Sequence, residues 1–80
     1  MTAKEILVTI NKYIVEENGK PVTGKDLFID SGLDSLGTTI VILTIDSEFN
    51  IAEGLSDSAI FEFLDIQNLT VKRLVHLCKS

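Results

Sequence analysis

Apolar side chains near the start of the chain recur at steps of three and four positions, with polar residues between them. They are Ile6, Leu7, Ile10, Tyr13 and Ile14. Such spacing places them on one face of a helix, so the pattern predicts an amphipathic helix over residues 3–17. Asn18-Gly19 can then form a left-handed C-cap, and Pro21 cannot continue a helix. A loop is therefore predicted over residues 20–34.

This predicted loop is long for a small domain, but it carries apolar side chains that can hold it against a core. They are Leu27, Phe28, Ile29 and Leu33. Asp30-Ser31-Gly32 is typical of a turn, and either Asp34 or Ser35 can cap a following helix. We expect the loop to be ordered and to end at a helix start.

The next segment, residues 36–49, carries conflicting signals. Seven of the eight residues from 38 to 45 are β-branched, which by propensity alone favours a strand. The length of the segment and its polar start favour a helix, on which the apolar residues form two opposed stripes. The outer stripe is Leu36, Ile40 and Leu43, and the inner stripe is Ile42, Ile45 and Phe49, loosely joined by Val41. We predict a helix whose inner stripe enters the core and whose outer stripe stays exposed.

Two more helical segments complete the prediction. Within residues 52–68, Glu53-Gly54 marks a connection, and the apolar residues after it follow no single clean period, which indicates a short third helix there. Thr70 can cap a last helix over residues 71–78, whose apolar residues share one face. The sequence therefore predicts an all-α four-helix bundle with a long loop between its first and second helices. In the alternative packing, the third segment covers the outer stripe with Phe61 and Phe63.

Length and charge restrict the class of protein. Eighty residues form one domain, residues 1–80, and twelve acids against seven bases give a net charge of −5. This charge disfavours nucleic acid and anionic membranes and favours protein partners with basic docking surfaces. Cys78 has no partner for an internal disulfide, no signal-peptide pattern is present, and the longest apolar run is too short to span a bilayer. We expect a cytoplasmic monomer without a membrane span.

The residue types give little support to catalysis or metal binding. His76 and Cys78 are two positions apart on a helix and do not face each other, so they are unsuited to act as a catalytic pair. The aspartates at 26, 30 and 34 have neither the number nor the spacing of a calcium loop. We expect neither enzyme activity nor a metal site.

The most informative stretch is Gly32-Leu33-Asp34-Ser35-Leu36, where the apolar loop meets the second predicted helix. It resembles the carrier-protein family, which includes acyl, peptidyl and D-alanyl carrier proteins. In that family an Asp-Ser-Leu or Asp-Ser-Met triplet opens the second helix of a four-helix bundle. The resemblance implies that Ser35 receives a 4′-phosphopantetheine arm from coenzyme A through a phosphopantetheinyl transferase. It also implies acyl-loading and acyl-processing enzymes as partners.

The motif agreement covers residues 26–51, and the placement of its residues has physical reasons. A serine at a helix N-terminus can expose its hydroxyl, and a phosphodiester there is favoured by unpaired backbone N–H groups and the helix dipole. Gly32 permits the backbone excursion that leads into the helix. Candidate partner-binding residues combine negative charge with the outer stripe: Asp34, Leu36, Ile40, Leu43, Asp46 and Glu48.

The chain also departs from fatty-acid carriers, which usually carry several acids along the exposed side of the second helix. Here that region has Gly37, Ile40, Thr44 and Ser47. Asp-Ser-Leu-Gly-Thr is also similar to the Asp-Ser-Met-Gly-Thr of D-alanyl carrier proteins. The predicted function is an acyl carrier in a fatty-acid, polyketide or other specialised pathway. A D-alanyl or aminoacyl (peptidyl) carrier and an unmodified four-helix interaction module are the alternatives.

Overall fold

The first helix, α1 (Ala3–Glu16), begins and ends with local hydrogen bonds. The computed structural model describes residues 1–79. Thr2 and Glu5 form a capping box, in which the Thr2 hydroxyl accepts from Glu5 N–H at 3.2 Å and the Glu5 carboxylate from Thr2 N–H at 3.0 Å. At the other end Asn18 is left-handed (φ 67°), and Gly19 N–H donates to the Ile14 carbonyl at 2.9 Å. The left-handed C-cap is confirmed.

The loop after α1 is ordered, as predicted, because side chains and backbone both tie it to the helices. The Asn11 amide exchanges two hydrogen bonds with the backbone of Val22, at 2.8 and 2.9 Å. Phe28 is fully buried at the start of a short 3₁₀ turn, Phe28–Ser31. Phe28 N–H also donates to the Leu69 carbonyl at 2.8 Å, which joins the loop to the chain just before the last helix.

The segment with conflicting signals is a helix, α2 (Ser35–Phe49). A β-branched residue costs a helix less than about 0.7 kcal/mol relative to alanine, whereas full burial of an Ile or Val contributes about 1.5–3 kcal/mol. Val41, Ile42 and Ile45 are 1%, 7% and 0% exposed, so packing outweighs propensity. Phe49 is half-buried and packs against the core. The inner stripe therefore faces the core as predicted, with Val41 as a full member.

The predicted short third helix is present, and an additional helical turn precedes it at the predicted connection. Asn50 takes a left-handed conformation (φ 52°) and ends α2, after which α3 (Ile51–Gly54) makes a single turn. Leu55 is extended, and the Ser56 hydroxyl then caps α4 (Asp57–Leu64). A short 3₁₀ turn, Ile66–Asn68, leads to the last helix, α5 (Val71–Cys78), which Thr70 caps as predicted.

The core of the bundle combines one face each of α1, α2 and α5 with buried residues of the loop, of α3 and α4, and of the connection before α5. It includes Ile6, Ile10, Ile14, Val22, Phe28, Val41, Ile42, Ile45, Ile51, Phe63, Leu69, Val71, Leu74, Val75, Leu77 and Cys78. The all-α bundle of the predicted type is thus confirmed, with α3 as an added turn. Over residues 1–79, the helices are all too short or too polar to cross a membrane.

One polar side chain in this core lacks a hydrogen bond. Ser31 is 1% exposed, and its Oγ has no partner within the described residues. Because a buried hydroxyl without a partner is destabilising, Ser31→Ala should leave the free energy of unfolding unchanged or raise it by about 1 kcal/mol. Denaturant midpoints measure the change, with exposed Ser47→Ala as the matched control. A clear loss of stability in Ser31→Ala alone would contradict this account.

Candidate functional site

Ser35 lies at the first position of α2 with its side chain exposed. The helix is capped by its neighbour: the Asp34 carboxylate accepts from Gly37 N–H at 2.7 Å, and the Asp34 carbonyl from Thr38 N–H at 2.8 Å. Sequence alone left Asp34 and Ser35 as equal candidates for the cap, and the structure assigns it to Asp34. Within residues 1–79 the Ser35 hydroxyl makes no hydrogen bond, so it is available for modification.

Two glycines shape the backbone around Ser35. Gly32 is left-handed (φ 72°), and its N–H donates to the Ile29 carbonyl at 3.1 Å, which ends the 3₁₀ turn before the motif. Gly37, which the sequence analysis placed on the exposed side of the helix, is instead buried. A Cβ on Gly37 would lie 3.1 Å from the capping oxygen of Asp34 and 3.4 Å from Leu33. The absence of a side chain at Gly37 thus lets the cap and the loop close tightly.

The role of Gly37 could have been found in the sequence. With Asp34 as the N-cap, Gly37 is the third helical residue, whose N–H is the usual donor to a capping carboxylate. Residue types alone do not decide between Asp34 and Ser35 as the cap, so the sequence did not single out Gly37 as the donor.

The outer stripe runs along α2 from the residue after Ser35. Leu36, Ile40 and Leu43 are 70%, 38% and 61% exposed, so the predicted exposure of this stripe is confirmed. The alternative, that the third segment covers it, is wrong: Phe63 turns into the core at 3% exposure, and Phe61 is itself 74% exposed. An exposed apolar line therefore adjoins the serine, while its use in docking stays a prediction.

The three candidate docking acids are also hydrogen-bonded within the domain. Asp34 caps α2, and the Asp46 carboxylate accepts from Ala52 N–H at 2.9 Å and so helps to hold α3. The Tyr13 hydroxyl donates to Glu48 Oε2 at 2.8 Å and links α1 to α2, which raises the pKa of Tyr13. These carboxylates lie on or beside α2, and hydrogen bonds within the domain set their orientation. The sequence predicted the Asp34 cap as one of two possibilities. It did not predict the contact between Tyr13 and Glu48, because only packing brings these residues together.

Other reactive residue types lie away from Ser35 or serve local structure. Cys78 is buried, and burial raises the pKa of its thiol to about 12, so the thiol stays protonated and poorly nucleophilic at neutral pH. Its neighbour on the helix, His76, is exposed. The carboxylates of Asp26 and Asp30 each accept a hydrogen bond from the backbone N–H of the residue three positions earlier. The donors are Thr23 at 2.7 Å and Leu27 at 2.9 Å. These aspartates thus act as local turn caps.

Comparison with known proteins gives one informative match. Over 50 residues the chain is 32% identical to the acyl carrier protein 1, chloroplastic, of Hordeum vulgare. The similarity is to an acyl carrier. The match covers 62% of this chain and 34% of that protein, so it spans only about a third of the relative's length. No family model matches the chain, and no solved structure matches it significantly. The comparison supports an acyl-carrier-like family and leaves pathway and substrate open.

Proposed function

We propose that this chain is a carrier protein that holds thioester-bound acyl intermediates on a 4′-phosphopantetheine arm attached to Ser35, and that it is not itself an enzyme. The observation that carries the proposal is an exposed Ser35 hydroxyl at the start of α2, freed from capping by Asp34. The similarity to an acyl carrier protein of Hordeum vulgare supports it independently.

The residues around Ser35 suit the attachment of a phosphodiester. In the proposed reaction the Ser35 oxygen forms a bond to the β-phosphorus of coenzyme A as the pyrophosphate bond breaks. Adenosine 3′,5′-bisphosphate leaves, and the hydroxyl proton passes to a base of the phosphopantetheinyl transferase. The phosphodiester would then lie near the N-terminus of α2, where the first N–H groups and the helix dipole favour an anion. The arm supplies the terminal thiol on which the acyl group is carried.

The cargo is an acyl group of fatty-acid, polyketide or other specialised metabolism. The second candidate is a D-alanyl or aminoacyl carrier, which the Asp-Ser-Leu-Gly-Thr sequence favours. Intact mass after treatment with a transferase and coenzyme A tests the arm, and the mass of protein isolated from its own cell identifies the cargo. An unmodified interaction module would gain no mass in either experiment.

The chloroplastic location named for the relative differs from the cytoplasmic location predicted from sequence, which stays a prediction.

Partner enzymes would meet both the outer stripe and the nearby acids. We expect association to slow as salt rises, because the Debye length of about 8 Å at physiological ionic strength screens these charges. Asp34→Asn with Glu48→Gln keeps both hydrogen-bond acceptors and removes the charges. This double variant should associate several-fold more slowly at low salt, measured by stopped-flow, with little change in dissociation.

The matched control for charge is Glu16→Gln with Glu53→Gln, two exposed acids outside α2. It should retain most of the original association rate. A rate that is flat from low to high salt in the unaltered protein would show that docking depends on apolar contact alone.

A further inference from the structure

The charges of this acidic chain are strongly segregated. Residues 26–71 hold nine of the twelve acids and none of the seven lysines and arginines. The basic residues lie instead in α1, in the first part of the loop, and in and just after α5. Because α1 and α5 pack against each other, the fold brings the two basic ends of the sequence together, with Arg73 of α5 also paired to Glu62 of α4.

A groove of about 290 Å³ lies between the N-terminal half of α1 and α5. Leu7, which is half-buried, and Val75, which is 8% exposed, provide apolar surface within it. Lys72 and Lys79 also line it, and both are exposed. The described residues that line the groove include no carboxylate. The groove is thus apolar with positive charge beside it, unlike the surface around α2.

The groove and Ser35 lie at opposite ends of α1. Leu33, two residues before Ser35, lies against Gly19 just beyond the C-terminus of α1, where a Cβ on Gly19 would come within 2.8 Å of it. The groove instead uses Ala3 and Leu7, near the N-terminus. A helix of 14 residues is about 21 Å long at 1.5 Å per residue. One partner can therefore occupy the groove while another works at Ser35.

We infer that this groove is a second docking site, which binds an acidic segment of a partner protein through an apolar anchor side chain. Lysines beside an apolar floor complement a segment that combines carboxylates with a large apolar residue. A protein segment is favoured over a membrane or nucleic acid because it can reach the groove alone. An extended anionic surface would also meet acids on the neighbouring elements, such as Glu5 in the first turn of α1 and Glu62, which pairs with Arg73 of α5. A carrier held in this way would present its arm to other active sites at high effective concentration.

The test is an NMR titration of the ¹⁵N-labelled full chain with a short, capped helical peptide in which a Phe and a Leu, one turn apart, are set among glutamates. Saturable shifts should centre on the amides around Leu7 and Val75 and spare those around Ser35. A peptide with alanine in place of the Phe and Leu, and a peptide with lysine in place of the glutamates, should each bind at least about tenfold more weakly.

Two variants separate charge from shape. Lys72→Glu with Lys79→Glu should weaken peptide binding at least about tenfold, while Lys12→Glu with Lys20→Glu, of equal charge change, should not. Gly24 lines the groove, and a Cβ there would meet no atom within 4 Å. Gly24→Phe should therefore add bulk at the groove and reduce binding without unfolding the domain, as its NMR spectrum would verify.

Several outcomes would overturn the inference. These are the absence of saturable shifts, binding of the alanine peptide as tight as that of the original peptide, or an equal loss of peptide binding in the two double lysine variants. Shifts reproduced by phosphatidylglycerol vesicles or by dodecanoate but not by the peptide would assign the groove to a membrane or to a small amphiphile instead. The titration uses the unmodified protein, so its result is independent of whether Ser35 carries an arm.

Discussion

A promiscuous phosphopantetheinyl transferase with coenzyme A and Mg²⁺ should add one phosphopantetheine to this protein and none to the Ser35→Ala variant. The expectation rests on an exposed hydroxyl at the first position of α2 that takes no part in capping. Because Asp34 caps the helix, Ser35→Ala removes the attachment point and leaves the hydrogen bonds of the helix start in place. Intact-mass spectrometry of both proteins measures the result.

The chain offers matched controls for this experiment. Ser47 is an exposed serine on the same helix, so Ser47→Ala should be modified as fully as the unaltered protein. Circular dichroism should show equal helix content in all three proteins. If Ser35→Ala still gains the mass, another residue carries the arm. If the unaltered protein gains none under conditions that modify a control carrier, the unmodified interaction module becomes the better description.

The second large effect concerns the two stripes of α2. Ile45→Ala should lower the free energy of unfolding by about 2–5 kcal/mol, because it truncates a side chain that is 0% exposed and leaves a cavity. Ile40, at 38% exposure, lies on the outer stripe, and Ile40→Ser should change stability by less than about 1 kcal/mol. The denaturant midpoints of both variants measure the difference, provided that the free energy of unfolding depends equally steeply on denaturant concentration in both.

The same Ile40→Ser variant should nevertheless impair loading or transfer by the cognate partner enzyme. An apolar line beside the attachment point is a suitable docking surface when its residues are exposed together. Val8→Ser is the matched control, because Val8 is 63% exposed on α1 and lies outside the stripe. Equal large losses of stability for Ile40→Ser and Ile45→Ala would show that the outer stripe is core. Unchanged loading of Ile40→Ser would show that partners do not use it.

Local signals in the sequence were sufficient to predict the first and last helices. The apolar spacing predicted α1, Asn18 and Gly19 marked its C-cap, and Thr70 marked the start of α5. These features depend on residues within a few positions of one another. The order of the residues alone therefore predicts their hydrogen bonds and the helix faces on which they lie. The placement of Ser35 at a helix start was available for the same reason.

The centre of the chain was decided by tertiary packing. In α2 local propensity opposes the observed helix, and the burial of Val41, Ile42 and Ile45 against other elements outweighs it. The single turn α3 follows Asn50 in a left-handed conformation and is held by the contact from Asp46 to Ala52. A residue type tolerates such a conformation without requiring it, so the sequence did not predict this additional turn.

The surfaces show the same division between local and long-range information. The sequence determined the motif at Ser35, the net charge of −5 and the presence of two apolar stripes, since each is a property of residue identity and spacing. Only the folded chain decided that Gly37 is buried, that Glu48 accepts from Tyr13, and that Leu7 and Val75 share one groove. These contacts join residues far apart in the sequence. Their geometry follows from how the helices pack, which no local pattern specifies.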